Sequence, residues 1–404
     1  MSTARMQLLV ISAIQVLVMS CWFGMTTMTS SVTSYFDVSL SFSAWFSIAV
    51  QLGFVAGGLV SAFFNLADRI NAAKLIGLSS FLVAFSNLLL LLAPNSLTVI
   101  ILRFITGFGL AGVYPPGMRI IASWFINARG KSVGVLIAAL TLGSALPHFI
   151  GQIMQFEDWK LMIVSTSLLA GIGGVFGITI VQTGRYVTKP SRLNLKLARE
   201  LLSNKSFRLL TFGYCGHMWE LYAGWTWLAS FLVFTRAGLP GQTASSFTDL
   251  IIFSTIGIAG ALGAVLGGKF GDHFGHPKAC VVFMSLSGLS CLALSSFASM
   301  YEVVLFILLF IWGFSVIADS GLFSTSIMNH VPPDQVGTAL TLQTTLGFFI
   351  STLSIQLAPL LAGMTSWKYL MFLLALGPLF GVLAILKFLC TQSNEEEKSW
   401  RTTK

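Results

Sequence analysis

Two short polar stretches decide the fold of this chain: Leu66-Ala67-Asp68-Arg69-Ile70-Asn71-Ala72-Ala73-Lys74 and, half a chain later, Gly268-Lys269-Phe270-Gly271-Asp272-His273-Phe274-Gly275-His276-Pro277-Lys278. Each has an aspartate near its middle and a lysine at its end. Each also lies between two long apolar stretches. Internal repeats of this kind are typical of membrane proteins built from two similar helix bundles. The repeat therefore predicts two related sets of membrane helices.

The composition excludes a soluble globular protein. Of the 404 residues, 55% are hydrophobic and 9% are charged, whereas soluble domains carry about 25% charged residues. A membrane-spanning helix needs about 20 apolar residues. Twelve such spans are predicted, at residues 7–30, 41–64, 73–93, 98–122, 132–154, 160–182, 208–234, 247–270, 278–298, 302–328, 337–362 and 367–390.

The basic residues are distributed unevenly between the predicted loops. With the N-terminus inside, the outer loops hold only Lys160, Arg236 and Lys368 of the 23 lysines and arginines. Apart from Arg103, which lies within a span, the others fall on inner loops, helix ends and tails. The positive-inside rule then places both termini in the cytoplasm. The net charge of +9 thus reflects topology and indicates no nucleic-acid partner.

The repeat extends beyond the two polar loops. Arg103-Phe104-Ile105-Thr106-Gly107-Phe108-Gly109 in the fourth span is echoed by Ile311-Trp312-Gly313-Phe314 in the tenth, and Trp159-Lys160 is echoed by Trp367-Lys368. We therefore predict an all-α membrane protein with a six-helix bundle at 1–182, a cytoplasmic linker at 183–206, a second bundle at 207–390 and a charged cytoplasmic tail at 391–404. Leu193, Leu197 and Leu201 share one face of the linker, which either lies on the anionic inner leaflet or is a solvated helix.

On these motifs the chain resembles the major facilitator superfamily over essentially its whole membrane part. Gly268–Lys278 is similar to the family's Gly-x-x-x-Asp-Arg-x-Gly-Arg-Lys loop, while the first copy departs from it, with Phe64 and Asn71 at the two glycine positions. Arg103-x-x-x-Gly107-x-Gly109 resembles the family's fourth-helix motif. Gly216–Tyr222, Ala318–Ser320 and Gly337–Gln343 are similar to bacterial cyanate-type permeases.

The resemblance implies a molecule in which two bundles rock around a central site lined by the first, fourth, seventh and tenth helices. It also implies that the loop aspartates pair with basic residues and with the positive end of a neighbouring helix, which holds the cytoplasmic side shut. The expected latch consists of Asp68, Arg69, Lys74, Asp272 and Lys278. Simple anchoring of the loops at the membrane surface is the alternative.

Three ionisable side chains within the predicted spans are candidates for proton coupling. A charge at mid-membrane costs about 2.5–3.5 kcal/mol on insertion scales, so such a group is a functional candidate by default. His217 and Glu220 share one face of the seventh helix, and Asp319 lies in the tenth. A carboxylate in a partly dehydrated cavity can exchange protons near neutral pH. A structural hydrogen-bonded pair, or for Asp319 a salt bridge, a gate or a cation site, is the alternative.

The predicted substrate-binding residues are polar or aromatic side chains within the spans: Arg103, Tyr114, Trp22, Tyr214, Trp219 and Gln343. Arg103 either clamps a carboxylate of the solute or neutralises Glu220. Tyr114 follows it at helical spacing. Interhelical hydrogen bonding is the default for buried neutral groups such as His148 and Gln51, and Asp249 is expected to interact with a helix N-terminus.

The sequence thus predicts a proton-coupled secondary transporter of the inner membrane, working as a monomer by alternating access. An arginine, acidic groups and aromatic rings favour a small organic anion or zwitterion, with uptake favoured. Proton-antiport efflux of a metabolite, siderophore-like compound or drug is the first alternative, and a non-transporting sensor is the second. We expect no cofactor, metal site, disulfide or enzymatic activity.

Overall fold

The computed structural model describes residues 3–64, 70–125, 129–155, 158–185, 195–237, 247–297, 301–332 and 335–402. Among these, eleven helices are long and apolar enough to cross a membrane. They are Thr3–Phe36, Leu40–Phe64, Ala72–Leu92, Ser96–Trp124, Ser132–Met154, Trp159–Thr179, Thr248–Phe274, His276–Phe297, Glu302–His330, Val336–Met364 and Trp367–Ser393. The remaining predicted span, the seventh, is the helix Lys205–Ala237, which is long enough but more polar. The predicted all-α architecture is confirmed.

Three of the helices contain a break that the sequence pattern did not predict. The first consists of Thr3–Phe23 and Thr29–Phe36, joined by a short 3-10 turn at Thr26–Met28. The fourth consists of Ser96–Leu110 and Tyr114–Trp124. The tenth consists of Glu302–Ala318 and Ser320–His330. Each break leaves backbone carbonyls without their usual partner in the helix.

The two bundles repeat the same pattern of helix packing. In the first bundle, helix 1 packs on helices 5 and 6, helix 4 on helices 2 and 3, and helix 3 on helix 6. The second bundle has the equivalent pairs: helix 7 on helices 11 and 12, helix 10 on helices 8 and 9, and helix 9 on helix 12. The bundles meet through helices 2 and 11 and through helices 5 and 8.

The repeated glycines allow close crossings of equivalent helices. A Cβ atom at Gly107 would lie 1.9 Å from the backbone oxygen of Val50, and one at Gly313 would lie 2.1 Å from the oxygen of Thr255. Gly53 and Gly263 face the crossings from the other side, 2.0 Å from Phe104 O and 2.1 Å from Phe314 O. The echo between the fourth and tenth spans therefore marks helix crossings, with a π-helical turn at Phe253–Ala259 in the second.

The linker contains the short helix Leu195–Ser203, which packs on the second bundle. Leu201 is buried and Leu197 contacts the same apolar cluster as Phe207, while Lys196 and Arg199 are exposed. Its apolar face is thus partly covered by protein. At the other end of the bundle, the last helix, Leu370–Thr402, runs through most of the predicted tail.

Candidate functional site

The Glu220 carboxylate lies at the middle of the seventh helix and is 1% exposed. It accepts hydrogen bonds from Ser287 Oγ at 2.9 Å, Cys291 Sγ at 3.2 Å and Trp312 Nε1 at 2.9 Å. These donors belong to the ninth and tenth helices. The family resemblance placed this face against a central cavity, but the carboxylate points into the second bundle because its donors are there.

His217 and Asp319, the other two predicted proton-coupling residues, lie side by side. His217 Nδ1 is 2.9 Å from Asp319 Oδ1, and both side chains are almost fully buried. The other ring nitrogen, Nε2, is 3.0 Å from Ser320 Oγ. Asp319 occupies the break of the tenth helix. Since Glu220 follows His217 by one helical turn, the structure brings all three predicted residues into one buried polar group.

Three tyrosines converge where the bundles face each other. The side chains of Tyr114, from the fourth helix, and of Tyr214 and Tyr222, from the seventh, lie near one another. The Tyr214 ring packs against Gly347 of the eleventh helix, where a Cβ atom would clash with it. One turn earlier in that helix is Gln343, whose buried Nε2 has no hydrogen-bond partner in the described part of the chain. Three predicted substrate residues, Tyr114, Tyr214 and Gln343, thus come from helices of both bundles.

Trp22 lies in an aromatic cluster that joins the bundles. Its ring centroid is 5.7 Å from that of Tyr222, 6.0 Å from that of Phe348 and 5.2 Å from that of Phe54. Such distances are typical of favourable ring contacts. Trp22 and Phe54 belong to the first bundle, and the other two rings belong to the second. The predicted cavity residue Trp22 is therefore part of a packed contact in this conformation.

Arg103 is fully buried inside the first bundle, where it binds backbone oxygens. Its Nη1 donates to Cys21 O at 2.7 Å, its Nη2 donates to Trp22 O, and its Nε donates to Phe46 O at 3.2 Å. The first two carbonyls are freed by the break after Phe23. Neither predicted partner, a solute carboxylate or Glu220, is needed to explain this placement.

Trp219 also lies away from the contact between the bundles. Its indole Nε1 donates to Leu373 O at 2.9 Å, and its ring contacts Gly377. Both partners belong to the twelfth helix. This geometry supports helix packing within the second bundle.

The predicted latch is described only in part. Asp68 and Arg69 lie outside the described residues, and Lys74 and Lys278 are exposed. Asp272 Oδ1 is 3.3 Å from Nε2 of His276, the first residue of the ninth helix. In the first copy of the repeated loop, the Asn71 side chain accepts a hydrogen bond from Ala73 N at 2.9 Å and thereby caps the third helix. That cap gives a physical reason for asparagine at a family glycine position.

Sequence reasoning missed the polar contacts between the bundles. His148 Nδ1 is 2.6 Å from Asp249 Oδ1, between the fifth and eighth helices. Ser351 Oγ donates to Gln51 Oε1 at 2.6 Å, and Gln356 Nε2 donates to Ser41 O at 3.3 Å, both between the second and eleventh helices. Each residue was visible as a polar group within a span, but nothing in the sequence identified its partner.

Comparisons with known proteins agree with this architecture. The uncharacterized MFS-type transporter YybF of Bacillus subtilis is 23% identical over 62% of this chain and 62% of its own length. The probable sulfoacetate transporter SauU of Cupriavidus necator is 24% identical over 55% of this chain and 56% of its own. The probable L-galactonate transporter of Escherichia coli is 28% identical over 35% of this chain and 34% of its own. The matches thus span about three fifths or less of these relatives.

The fold has a close counterpart among solved structures. A crystal structure of a mutant of the nucleoside transporter NupG superimposes with a TM-score of 0.74 at 15% identity, over 95% of this chain and 99% of that one. A family model described as Major Facilitator Superfamily matches residues 11–355. The helix packing, the repeated crossings and this match together show that the chain belongs to the Major Facilitator Superfamily.

Proposed function

We propose that this chain is a proton-coupled secondary transporter that takes up a small organic anion by alternating access. The observation that carries the proposal is the buried group formed by Glu220, His217 and Asp319. Two carboxyl groups and an imidazole at mid-membrane are costly to insert. Functional use as proton sites accounts for that cost.

The bundles are in contact on one side of the membrane, and this supports alternating access. Both termini lie on one side, since twelve spans bring the chain back to where it began. Ser41, Gln356, His148 and Asp249 lie in the halves of their helices away from that side. With the termini in the cytoplasm, as the basic loops indicate, this conformation is closed toward the outside. An outward-open state requires these contacts to break.

The positive charge of Arg103 and the solutes for which two relatives are named favour an anionic solute. Among the described residues, the donors of Arg103 meet backbone carbonyls and no carboxylate. Its buried positive charge is bound to the backbone oxygen of Trp22, whose ring lies at the contact between the bundles. The charge therefore attracts anions toward that contact. Two relatives are named for sulfoacetate and L-galactonate, both of which are organic anions. The solute site we propose lies around Tyr114, Tyr214 and Gln343.

Proteoliposomes test the coupling. Purified protein is reconstituted, and uptake of radiolabelled sulfoacetate and L-galactonate is measured with the outside acidic, with no pH gradient and with the gradient reversed. We expect accumulation only with the outside acidic, and a weakened response in Glu220→Gln while solute exchange without a gradient persists. A Glu220→Gln protein that keeps the full pH response would refute the coupling role. Accumulation driven only by the reversed gradient would instead support the antiport alternative.

A further inference from the structure

The two oxygens of the Glu220 carboxylate have different partners. Oε1 accepts hydrogen bonds from Trp312 Nε1 at 2.9 Å and from Cys291 Sγ at 3.2 Å. In the described part of the chain, Oε2 has one hydrogen-bond partner, Ser287 Oγ at 2.9 Å. An indole N–H can donate but cannot accept, and a thiol is a weak acceptor. A proton on Oε1 would therefore lack a good acceptor.

Ser287 can serve either protonation state of its neighbour. Its hydroxyl carries one proton and two lone pairs, and Oγ lies 3.1 Å from the backbone oxygen of Met284 as well as 2.9 Å from Glu220 Oε2. When Glu220 is ionised, the serine donates to Oε2. When Oε2 carries a proton, the serine accepts that proton's hydrogen bond and turns its own O–H toward Met284 O.

We propose, on the basis of the proton coupling inferred above, that Glu220 takes up its proton on Oε2 and that Ser287 is the positioning residue that makes this possible. The step forms one O–H bond at Oε2, with a proton from the aqueous side to which the group has access. Ser287 keeps its own proton and only rotates. Trp312 and Cys291 hold Oε1 throughout.

The arrangement also links protonation to helix packing. A hydrogen bond to a charged group is stronger than the same bond to a neutral one. Protonation of Glu220 therefore weakens its attachment to Trp312 of the tenth helix and Cys291 of the ninth. The seventh helix, which carries Tyr214 and Tyr222 at the contact between the bundles, is then held less tightly by its own bundle.

Infrared difference spectroscopy on the purified full-length protein tests this without a known substrate. The C=O stretch of a protonated carboxyl is recorded across a pH series, and the Glu220 band is the one that disappears in Glu220→Gln. We expect Trp312→Phe to move this band to higher frequency, because the C=O oxygen loses a donor. We also expect the midpoint of its titration to rise by about one pH unit, since the charged form loses the stronger bond.

Ser287→Ala should change the band frequency and its midpoint, and Ser287→Thr should restore both. Ser290→Ala is the matched control, because Ser290 lies on the same helix and its hydroxyl donates to Leu286 O, at 2.7 Å, and not to Glu220 in the described structure. A Glu220 band that Trp312→Phe leaves unmoved would overturn the Oε2 assignment while leaving the coupling proposal intact. No Glu220 band at any pH would overturn both.

Discussion

His148 of the fifth helix and Asp249 of the eighth lie 2.6 Å apart, Nδ1 to Oδ1, and their contact joins the two bundles. His148 is almost fully buried, and Asp249 is about one-third exposed. Gly151, one turn after His148, lies beside the pair, and a Cβ there would be in ordinary contact with Asp249 Oδ2, at 3.5 Å. The contact lies on the outer side and must break when that side opens, so we expect it to stabilise the conformation described above.

Removing the charge of Asp249 should favour the outward-open state. A hydrogen bond to a charged group contributes about 1.5–3 kcal/mol, so Asp249→Asn should shift the equilibrium by roughly 10–150-fold. The readout is the labelling rate of Ser47→Cys with a membrane-impermeant maleimide, since Ser47 lies buried near Thr226 and Trp227 of the other bundle. Equal labelling with and without Asp249→Asn would show that the pair does not stabilise closure. The parent protein with its native cysteines provides the background.

Replacing Arg103 by lysine should lower stability more than it changes solute recognition. Lysine cannot reproduce the planar set of donors that reaches Cys21, Trp22 and Phe46, and a buried carbonyl without its donor costs about 1–3 kcal/mol. A thermal-unfolding measurement on purified Arg103→Lys should show this loss, whereas the exposed Arg208→Lys should unfold like the wild type. Wild-type stability combined with lost uptake would instead identify Arg103 as a direct solute ligand.

Asp319 should contribute separately to coupling. Each coupled proton adds about 1.36 kcal/mol of driving force per pH unit, which is tenfold in accumulation. If Asp319 and Glu220 each carry a proton, Asp319→Asn should lower the accumulation ratio by about tenfold at a gradient of one pH unit. The ratio is measured at steady state in proteoliposomes. Ser324→Ala on the same helix is the control, and an unchanged ratio in Asp319→Asn would assign Asp319 to structure alone.

The glycine crossings should tolerate no added methyl group. Gly53→Ala places a Cβ 2.0 Å from Phe104 O, so the helices must separate, and overpacking of this kind costs typically about 1–3 kcal/mol. Gly58 on the same helix has no neighbouring atom within 4 Å, so Gly58→Ala should be neutral or stabilising. Thermal unfolding of both variants checks the contrast. Equal stability of the two would mean that the crossing adjusts without cost.

The fold could be predicted from the sequence because long apolar spans and their repeat depend on local composition. The breaks in the helices could not be predicted, since the sequence is mostly apolar on both sides of Gly24 and of Asp319. Glu220, His217 and Asp319 were recognisable because a charge within a span is conspicuous. Their partners were not, because Ser287 and Trp312 lie 67 and 92 residues from Glu220 and are brought near it only by packing.

Arg103 shows the same limit more sharply. Its acceptors are backbone carbonyls, which every residue has, so no sequence pattern marks them. Two of them, Cys21 O and Trp22 O, become available only because the first helix ends at Phe23, and that end is visible only in the structure. The pairing of His148 with Asp249 was hidden for another reason: each residue had an adequate local explanation, and they are 101 residues apart.

The binding of Arg103 by three backbone carbonyls also has a consequence for biosynthesis. All three of its acceptors belong to the first and second helices, which leave the ribosome before the fourth. An isolated arginine at this depth would oppose insertion by about 2.5–3.5 kcal/mol, but in the natural chain order its acceptors are already in the bilayer when it arrives. A circularly permuted chain beginning at the third helix would present the arginine first, and its fourth helix should insert poorly.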